Sequence, residues 1–507
     1  MILSIESSCD DSSIAITEIA SAKLLFHQKI SQDSAHSQHG GVVPEIASRL
    51  HAKDLPLILA RAKEFLEGLS DGDSEGADFG EGFEGVNSGA NFKKVDSSAN
   101  SLGAESSAID SSKKDSNEAD FGKKDSRGFA KLKAIAITTE PGLSVSLIEG
   151  LMMAKALALS LKIPLISVNH LIGHFYSLFI DKPRAIFPMG ALLVSGGHTQ
   201  IICAHSPTDF EIIAQSMDDS FGESFDKVAK MLGLGYPGGP IIERYAKLYE
   251  AGASESSASE SSADVGLSNP QKSPLVNPPL ASLPVPLKNK RELAFSFSGL
   301  KNATRLLIES LESKNALEPK DLAESKNAPL HSLESSAQAL AVFDKAFVSA
   351  SFQHAAIAHI CDKLERYFRQ IKGHEKGGEK DNKKGAMREK SHDEIDSASV
   401  DSSSPIDSID SASADSIGAN HAESASAAHF SDFAIIGGAS SNLALRSAIQ
   451  ALCDKYGMRL HLAPLEFCAD NAAMIGRAGI EDFLAKRFAD TIAQEISPRT
   501  TTPFLHT

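Results

Sequence analysis

Apolar and polar positions alternate in blocks along this chain, and the blocks recur. The first residues read ILSIE, SSCDDS, SIAIT. A buried run, a tight polar turn and a second run predict a β-hairpin. At 191–203 the pattern returns as ALLVS, GGH and TQIIC. Between the hairpins lie a strand-like AIAIT (134–138), a helical PGLSVSLIEGLMMAKALALSL and a short strand LISVN (165–169). Further helical stretches follow. Then comes FAIIGGASSNLALRSAIQALCDK, read as a strand, a Gly-Gly turn and a helix with Ser440, Ser441 and Asn442 as candidate N-caps. Strands alternating with helices place the chain in the α/β class. Two hairpin-led halves predict a duplicated lobe with a cleft between.

Four stretches break this pattern: 70–128, 250–290, 312–335 and 372–430. Ser, Asp, Gly and Lys dominate them, with a Pro-rich tail to the second and a repeated ESKNA in the third. Such segments cannot bury enough surface to offset chain entropy and are expected to be disordered or loosely attached. They also change the meaning of the net charge. Residues 70–128, 250–274, 312–335 and 372–430 carry −6, −3, −2 and −5, which accounts for the whole −16 of the 507-residue chain. The remaining body is near neutral, so the acidic total says nothing about the active surface, and a polyanionic partner stays open. Composition argues against a strongly basic nucleic-acid binder, a disulfide scaffold and a membrane-spanning protein. Cys9, Cys203, Cys361, Cys453 and Cys468 are odd in number, without a CxxC, which suits a reducing cytoplasm and not a zinc cage. MILSIESSCDDS has no basic n-region, so no secretory signal is expected.

Several residues are candidates for chemistry. His170 and His174, in VNHLIGHFYSLF, share one face if helical, at a spacing that suits one metal. Asp470, in EFCADNAAM, is an isolated carboxylate before a helix start; it is either an N-cap or a third ligand. Asp10 and Asp11 occupy the first hairpin tip and either stabilise the turn or orient a magnesium, a water or a nucleophile. The second tip, Ser195 to His198, presents backbone N–H groups that can hold a phosphate. Asp226 lies on an amphipathic helix running into YPGGP, where Gly238 and Gly239 are expected to form a bare turn. AFSFSGLKNATR (294–305) alternates like a strand, and its Lys301 could meet an anion.

At these residues the sequence closely resembles the TsaD family, the tRNA adenosine threonylcarbamoyltransferases, also labelled O-sialoglycoprotein endopeptidases. SIESSCDDS, HGGVVPEIASRLH, NHLIGH, LLVSGGHTQ, GESFDKVAKMLGLGYPGGP, FSFSGLK, IIGGASSN and FCADNAAMIG carry the resemblance, in order and in both halves. It implies a duplicated actin-like ATPase fold with a first lobe over 1–185, rejoined by 480–507, and a second over 186–479. It implies that His170, His174 and Asp470 bind one divalent metal, iron(II) in preference to zinc. It implies a substrate site of Leu193, Val194, Ser195, Gly196, Gly197, Asp226, Gly239 and Asn442, with Asp10 and Asp11 as the acidic residues of the first loop. The implied reaction moves a threonylcarbamoyl group from threonylcarbamoyl-AMP to the exocyclic amine of adenosine 37 of tRNA, with magnesium able to accompany the nucleotide. The implied partners are tRNA, an inactive paralogue of the same fold (TsaB-like) and a small P-loop ATPase (TsaE-like), with no membrane. Two other classes fit the residues. A metalloprotease is suggested by the old label, although Leu171 follows His170 where HExxH enzymes place glutamate. An ATPase or small-molecule kinase of the same fold would need no His-His-Asp set. The chain departs from the family at Glu140-Pro141-Gly142, where Gly-Pro-Gly is usual.

Overall fold

The two hairpins seed two sheets of the same design. β1 (Ile2–Glu6) is buried throughout and pairs antiparallel with β2 (Asp11–Thr17), which pairs with β3 (Leu24–Ser31). On the other side of β1, β4 (Ala134–Glu140) and β5 (Leu165–Asn169) add in parallel, giving the order β3-β2-β1-β4-β5. In the second sheet β6 (Met189–Val194), β7 (Thr199–Ser206) and β8 (Asp209–Gln215) form the antiparallel meander. β9 (Asp432–Ile436) and β10 (Arg459–Leu462) are its parallel pair. β11 (Leu505–His506) joins the outer edge of β8 in parallel. These relations come from a computed structural model, which describes residues 1–69, 127–251, 278–288, 290, 292–317, 340–381, 430–501 and 505–506.

A parallel neighbour is reached only by a crossover. The first sheet is flanked by the short α1 (Asp33–Ser37), the long α2 (Pro44–Gly68) and α3 (Ser144–Leu161), which links β4 to β5. α4 (His170–Tyr176) follows β5 directly. α5 (Phe221–Met231), α6 (Gly238–Glu250), α7 (Ser298–Leu317) and α8 (Val342–Asp381) build up the second half, and α9 (Leu443–Tyr456) links β9 to β10. α10 (Ala472–Leu484) packs on β1, β2, β4 and β5, so the chain is back on the first sheet from Ala472.

Each sheet has its own outer core, β1, β4, α2 and α3 in one, β6, β9 and α5 to α9 in the other. A third cluster lies between the sheets. It joins Ile166 and Val168 to Leu193, Ile202 and Ile436 through Leu171 and Phe175 of α4 and Met474 and Ile475 of α10. α4 and α10 are thus the shared layer of the two halves. α10 approaches closely because of Gly476: a Cβ there would lie 2.7 Å from Thr17 Oγ1 and 2.8 Å from Ser4 Oγ. α3 is long and apolar enough to cross a membrane by length and composition; it packs one face against β4 and α2, and a third of it is buried.

Three expectations change. The low-complexity stretches fall mostly outside the described residues, yet their edges are ordered. α7 runs through the first ESKNA to Leu317 and α8 runs to Asp381. Extending an existing helix carries no nucleation cost. Residues 278–288 are held too: buried Lys363 donates to the carbonyls of Leu287 (2.8 Å) and Glu292 (3.3 Å). AFSFSG is not a strand. Only Phe295 bridges, to Ser216, before α7 begins at Ser298, and Lys301 is ion-paired with Asp219. YPGGP is not a bare turn. Gly238 opens α6, and a Cβ on it would meet the Asp226 backbone at 2.6 Å.

Gly437, between β9 and α9, sits at φ +91°, and a Cβ would lie 2.4 Å from the Val194 carbonyl oxygen. Gly437→Ala should therefore lower stability by at least ~2 kcal/mol in urea denaturation, from left-handed strain plus overpacking. A loss under ~0.5 kcal/mol, the range of neutral surface changes, would show that the second sheet does not need this close approach.

A candidate metal centre at the interlobe layer

β5 passes into α4 without a loop because Asn169 ends the one and caps the other. Its Oδ1 accepts from Leu171 N at 2.9 Å and Ile172 N at 3.3 Å. α4 then carries His170 and His174, one turn apart, on one face, with ring centroids 4.6 Å apart and nearly perpendicular. Asp470 comes from the turn before α10. The cap of that helix is its neighbour Asn471, which accepts from Met474 N at 2.9 Å. The carboxylate of Asp470 is therefore free of capping, one of the two roles open to it in the sequence. Its Oδ1 lies 3.3 Å from His170 Nε2 and 3.2 Å from His174 Nε2. The ligand atoms of the three side chains all lie within 4.8 Å of one another.

His174 is fully buried; its Nε2 faces Asp470 Oδ1, and among the described residues its Nδ1 has no hydrogen-bond partner. Leaving a buried polar group unmatched costs about 1–3 kcal/mol. Two imidazoles and one carboxylate converging on one point are a donor set for zinc or iron(II), with coordination positions left open. The residues present fit such an ion. Behind His170 stand two residues that pattern reading missed. Its Nδ1 lies 3.1 Å from Ser8 Oγ and 3.3 Å from Glu6 Oε2. Glu6 is completely buried at the end of β1 and also takes the Ser8 N–H at 2.6 Å and the Thr138 hydroxyl. A carboxylate behind a ligating histidine fixes the ring and its tautomer. The signal was an acid closing an otherwise apolar buried run.

Burial opposes charge at His170, yet Asp470 and Glu6 raise its pKa well above the usual histidine value. Burial and the neighbouring His170 lower that of His174. Burial also opposes ionisation of Asp470, but the two rings hold its carboxyl well below the carboxylate range. Asp470 therefore adds stability above its unfolded pKa and loses it as pH falls. His170 adds stability below its unfolded pKa and loses it as pH rises through the folded value.

The family model for TsaD, tRNA N6-adenosine threonylcarbamoyltransferase, matches residues 23–67, 123–398 and 407–477. The enzyme of that name from a Nitratiruptor species is 40% identical over 98% of this chain and 99% of its own. That from Helicobacter pylori is 41% identical over 99% and 98%. The chain belongs to the TsaD family. Its two sheets of one design are the duplicated actin-like fold of that family. Among solved structures, full-length HypF in its phosphate- and nucleotide-bound form covers 70% of this chain and 40% of its own at 12% identity and a TM-score of 0.35, too distant to carry weight.

In this TsaD member the first hairpin tip adjoins the centre. Asp11 is ion-paired with Lys29 at 2.9 Å, yet burial pushes its carboxyl up to about 7. Burial raises Asp10 as well, with Asp470 adding to the shift. On the second tip, the Leu193 and Val194 side chains are core, so only their backbone can meet a ligand. Ser195 closes the turn, its hydroxyl taking His198 N–H at 3.0 Å. A Cβ on Gly196 or Gly197 would enter open space, while the Gly196 carbonyl accepts from Ser220 Oγ at 2.6 Å. His198 was also missed. Burial lowers it to about 4, and His170 and His174 are close enough to push it further. Asp226 accepts from Gly238 N at 2.6 Å, is pushed up to about 6 by burial, and senses the charge of Asp10 across the cleft. Gly239 faces open space. The Asn442 side chain is spent on capping α9 at Leu445 N (2.8 Å) and on Gln353 (2.9 Å). Among the described residues, no hydrogen bond or ion pair joins Asp226, Gly239 or Asn442 to the three ligands.

In metal-free protein, Glu6→Gln should lower the His170 pKa by removing a buried negative partner while leaving Asp470 in place. An NMR titration of the imidazole checks this; an unchanged His170 would show that Glu6 does not orient the ring electrostatically.

Proposed function

We propose that the protein transfers threonylcarbamoyl from threonylcarbamoyl-AMP to the N6 amine of adenosine 37 in tRNAs that read codons beginning with A, releasing AMP. The observation that carries the site is the convergence of His170, His174 and Asp470, with His174 fully buried and its Nδ1 unmatched among the described residues. These three residues would hold one divalent ion, iron(II) in preference to zinc. When bound, such an ion supplies Lewis acidity and a template for donor oxygens.

The remaining chemistry belongs to the chain. The donor is a mixed anhydride; the adenosine amine attacks its carbamoyl carbon, and the bond to the AMP oxygen breaks. The Ser195 N–H is spent on the His198 carbonyl at 2.9 Å, so the Gly196 and Gly197 N–H groups would hold the leaving phosphate, where magnesium could accompany the nucleotide. Gly239 and Asp226 lie where the nucleoside half would enter, with a carboxyl suited to ribose hydroxyls, and Leu193, Val194 and Asn442 shape that wall from behind. Asp11, raised to about 7, can take the amine proton near neutral pH. Asp10 beside it orients the donor. Both assignments give the hairpin tips one task, positioning across the cleft.

α3 supports the partner reading. Val145, Ile148, Met152 and Leu159 are large apolar residues left exposed, Met152 at 60%. Their spacing makes one stripe on a first-lobe helix, a surface for a paralogue of like fold to cover. A small P-loop ATPase completes the set of proteins. All five cysteines are free, in keeping with a cytoplasmic setting.

His174→Ala and Asp470→Ala test the function. Purified protein should carry about one ion per chain, as a single three-ligand site holds. Each variant should lose most of it, keep its secondary structure by circular dichroism when metal-free, and lose transfer to tRNA by at least ~100-fold. Full metal and full transfer in both variants would overturn the assignment. Met152→Asp should abolish pairing with the paralogue in analytical ultracentrifugation without lowering Tm; intact pairing would place the interface elsewhere.

A further inference from the structure

Glu140 stands where the family resemblance puts a glycine, and its surroundings give it a task. It ends β4, is 7% exposed, and has no cationic partner among the described residues. Neutral donors satisfy it instead. Oε1 accepts from Asn169 Nδ2 at 3.3 Å. Oε2 accepts from the Thr501 N–H at 2.7 Å and from the Thr501 hydroxyl. The β4–β5 register shifts between Thr138 and Glu140, which sets Glu140 opposite Asn169.

Asn169 is the N-cap of α4, the helix that begins with His170. A side-chain amide can turn either end toward the helix, but only the oxygen can accept the Leu171 and Ile172 N–H groups. An acceptor at Glu140 holds the NH₂ end away from the helix and so selects the capping orientation. The same carboxylate grips the C-terminal segment. Ser497 N donates to the Thr139 carbonyl at 2.9 Å and Gly142 N to the Pro498 carbonyl at 3.4 Å, so this part of the tail lies on the first sheet. Leu505 and His506 then pair with Phe210 and Glu211 of β8, on the second sheet. The tail is tied to both halves, and its tie to the first runs through the residue that orients the cap of the ligand helix.

We propose that Glu140 is a positioning residue: it latches the C-terminal tail to the Asn169 cap, so that the tail's hold on the two sheets bears on where α4 presents His170 and His174. The part that concerns ligands rests on the metal reading above; the latch itself does not. A glycine at 140 would free Thr501 and leave the Asn169 amide only the Thr500 hydroxyl, 3.5 Å away.

Hydrogen exchange of the Leu171, Ile172 and Thr501 amides, measured on the full chain, reads the latch with or without metal. Glu140→Gly should speed exchange at all three by at least ~5-fold, the scale of losing an N-cap. Glu140→Gln keeps an acceptor for Asn169, so it should restore Leu171 and Ile172 while leaving Thr501 less protected. Thr501→Val, which removes only the tail's hydroxyl, should raise exchange at Thr501 and, more weakly, at Leu171. In metal-loaded protein, Glu140→Gly should speed metal loss to a chelator and lower kcat for transfer with little change in donor KM. Leu171 and Ile172 unchanged in Glu140→Gly overturns the proposal, whatever happens to the tail. Faster exchange there in a protein that binds no metal would instead uphold the latch and sink the metal reading.

Discussion

Two imidazoles and a carboxylate share one buried point, and the layout around them follows from keeping them there. His174 is fully buried, with Asp470 Oδ1 3.2 Å from its Nε2 and, among the described residues, no hydrogen-bond partner for its Nδ1. Such an arrangement persists only where the surroundings over-determine it. Here Asn169 fixes the start of α4, Asn471 takes over the capping of α10 and frees Asp470, and Glu6 with Ser8 holds the far side of His170. Each support comes from a different element, and all of them meet at the layer shared by the two sheets.

The duplication explains why the layer exists. Each half ends its first strand in a polar tip, SSCDDS in one and SGGH in the other, and both border the histidine pair: Ser8 lies 3.1 Å from His170, and His170 and His174 act on His198. The first tip brings carboxylates, the second brings backbone N–H groups with little side chain in the way. α4 and α10 fill the space between the sheets with apolar side chains; α4 carries His170 and His174, and the turn before α10 carries Asp470. A donor with a phosphate at one end and a carbamoyl at the other suits such a cleft, because its two ends need opposite kinds of contact.

Much of this was legible in the chain. The hairpins, β4, β5 and the β9–α9 unit follow from apolar runs between turn residues, a local signal that the tertiary fold agrees with. The His170–His174 pair follows from helical spacing. The joining of Asp470 to that pair does not, since spacing carries no information across some 300 residues of chain. It was reached only through motif resemblance. Glu6, Ser8 and His198 were passed over because each sits in a motif that already reads as strand or turn. Lys301 was misplaced because AFSFSG alternates, while its Phe side chains pack on His359 and only one backbone bridge forms. Pro237 to Pro240 was misread because the close packing of Gly238 on Asp226 is a tertiary fact.

The account stands most directly on where an ion goes. Anomalous diffraction at the iron and zinc edges, from crystals of the full chain grown with metal, locates it. The account predicts one peak per chain within bonding distance of His170 Nε2, His174 Nε2 and the Asp470 carboxylate, about 2.0–2.2 Å. A metal bound elsewhere, with these three side chains left in contact only with one another, would contradict it.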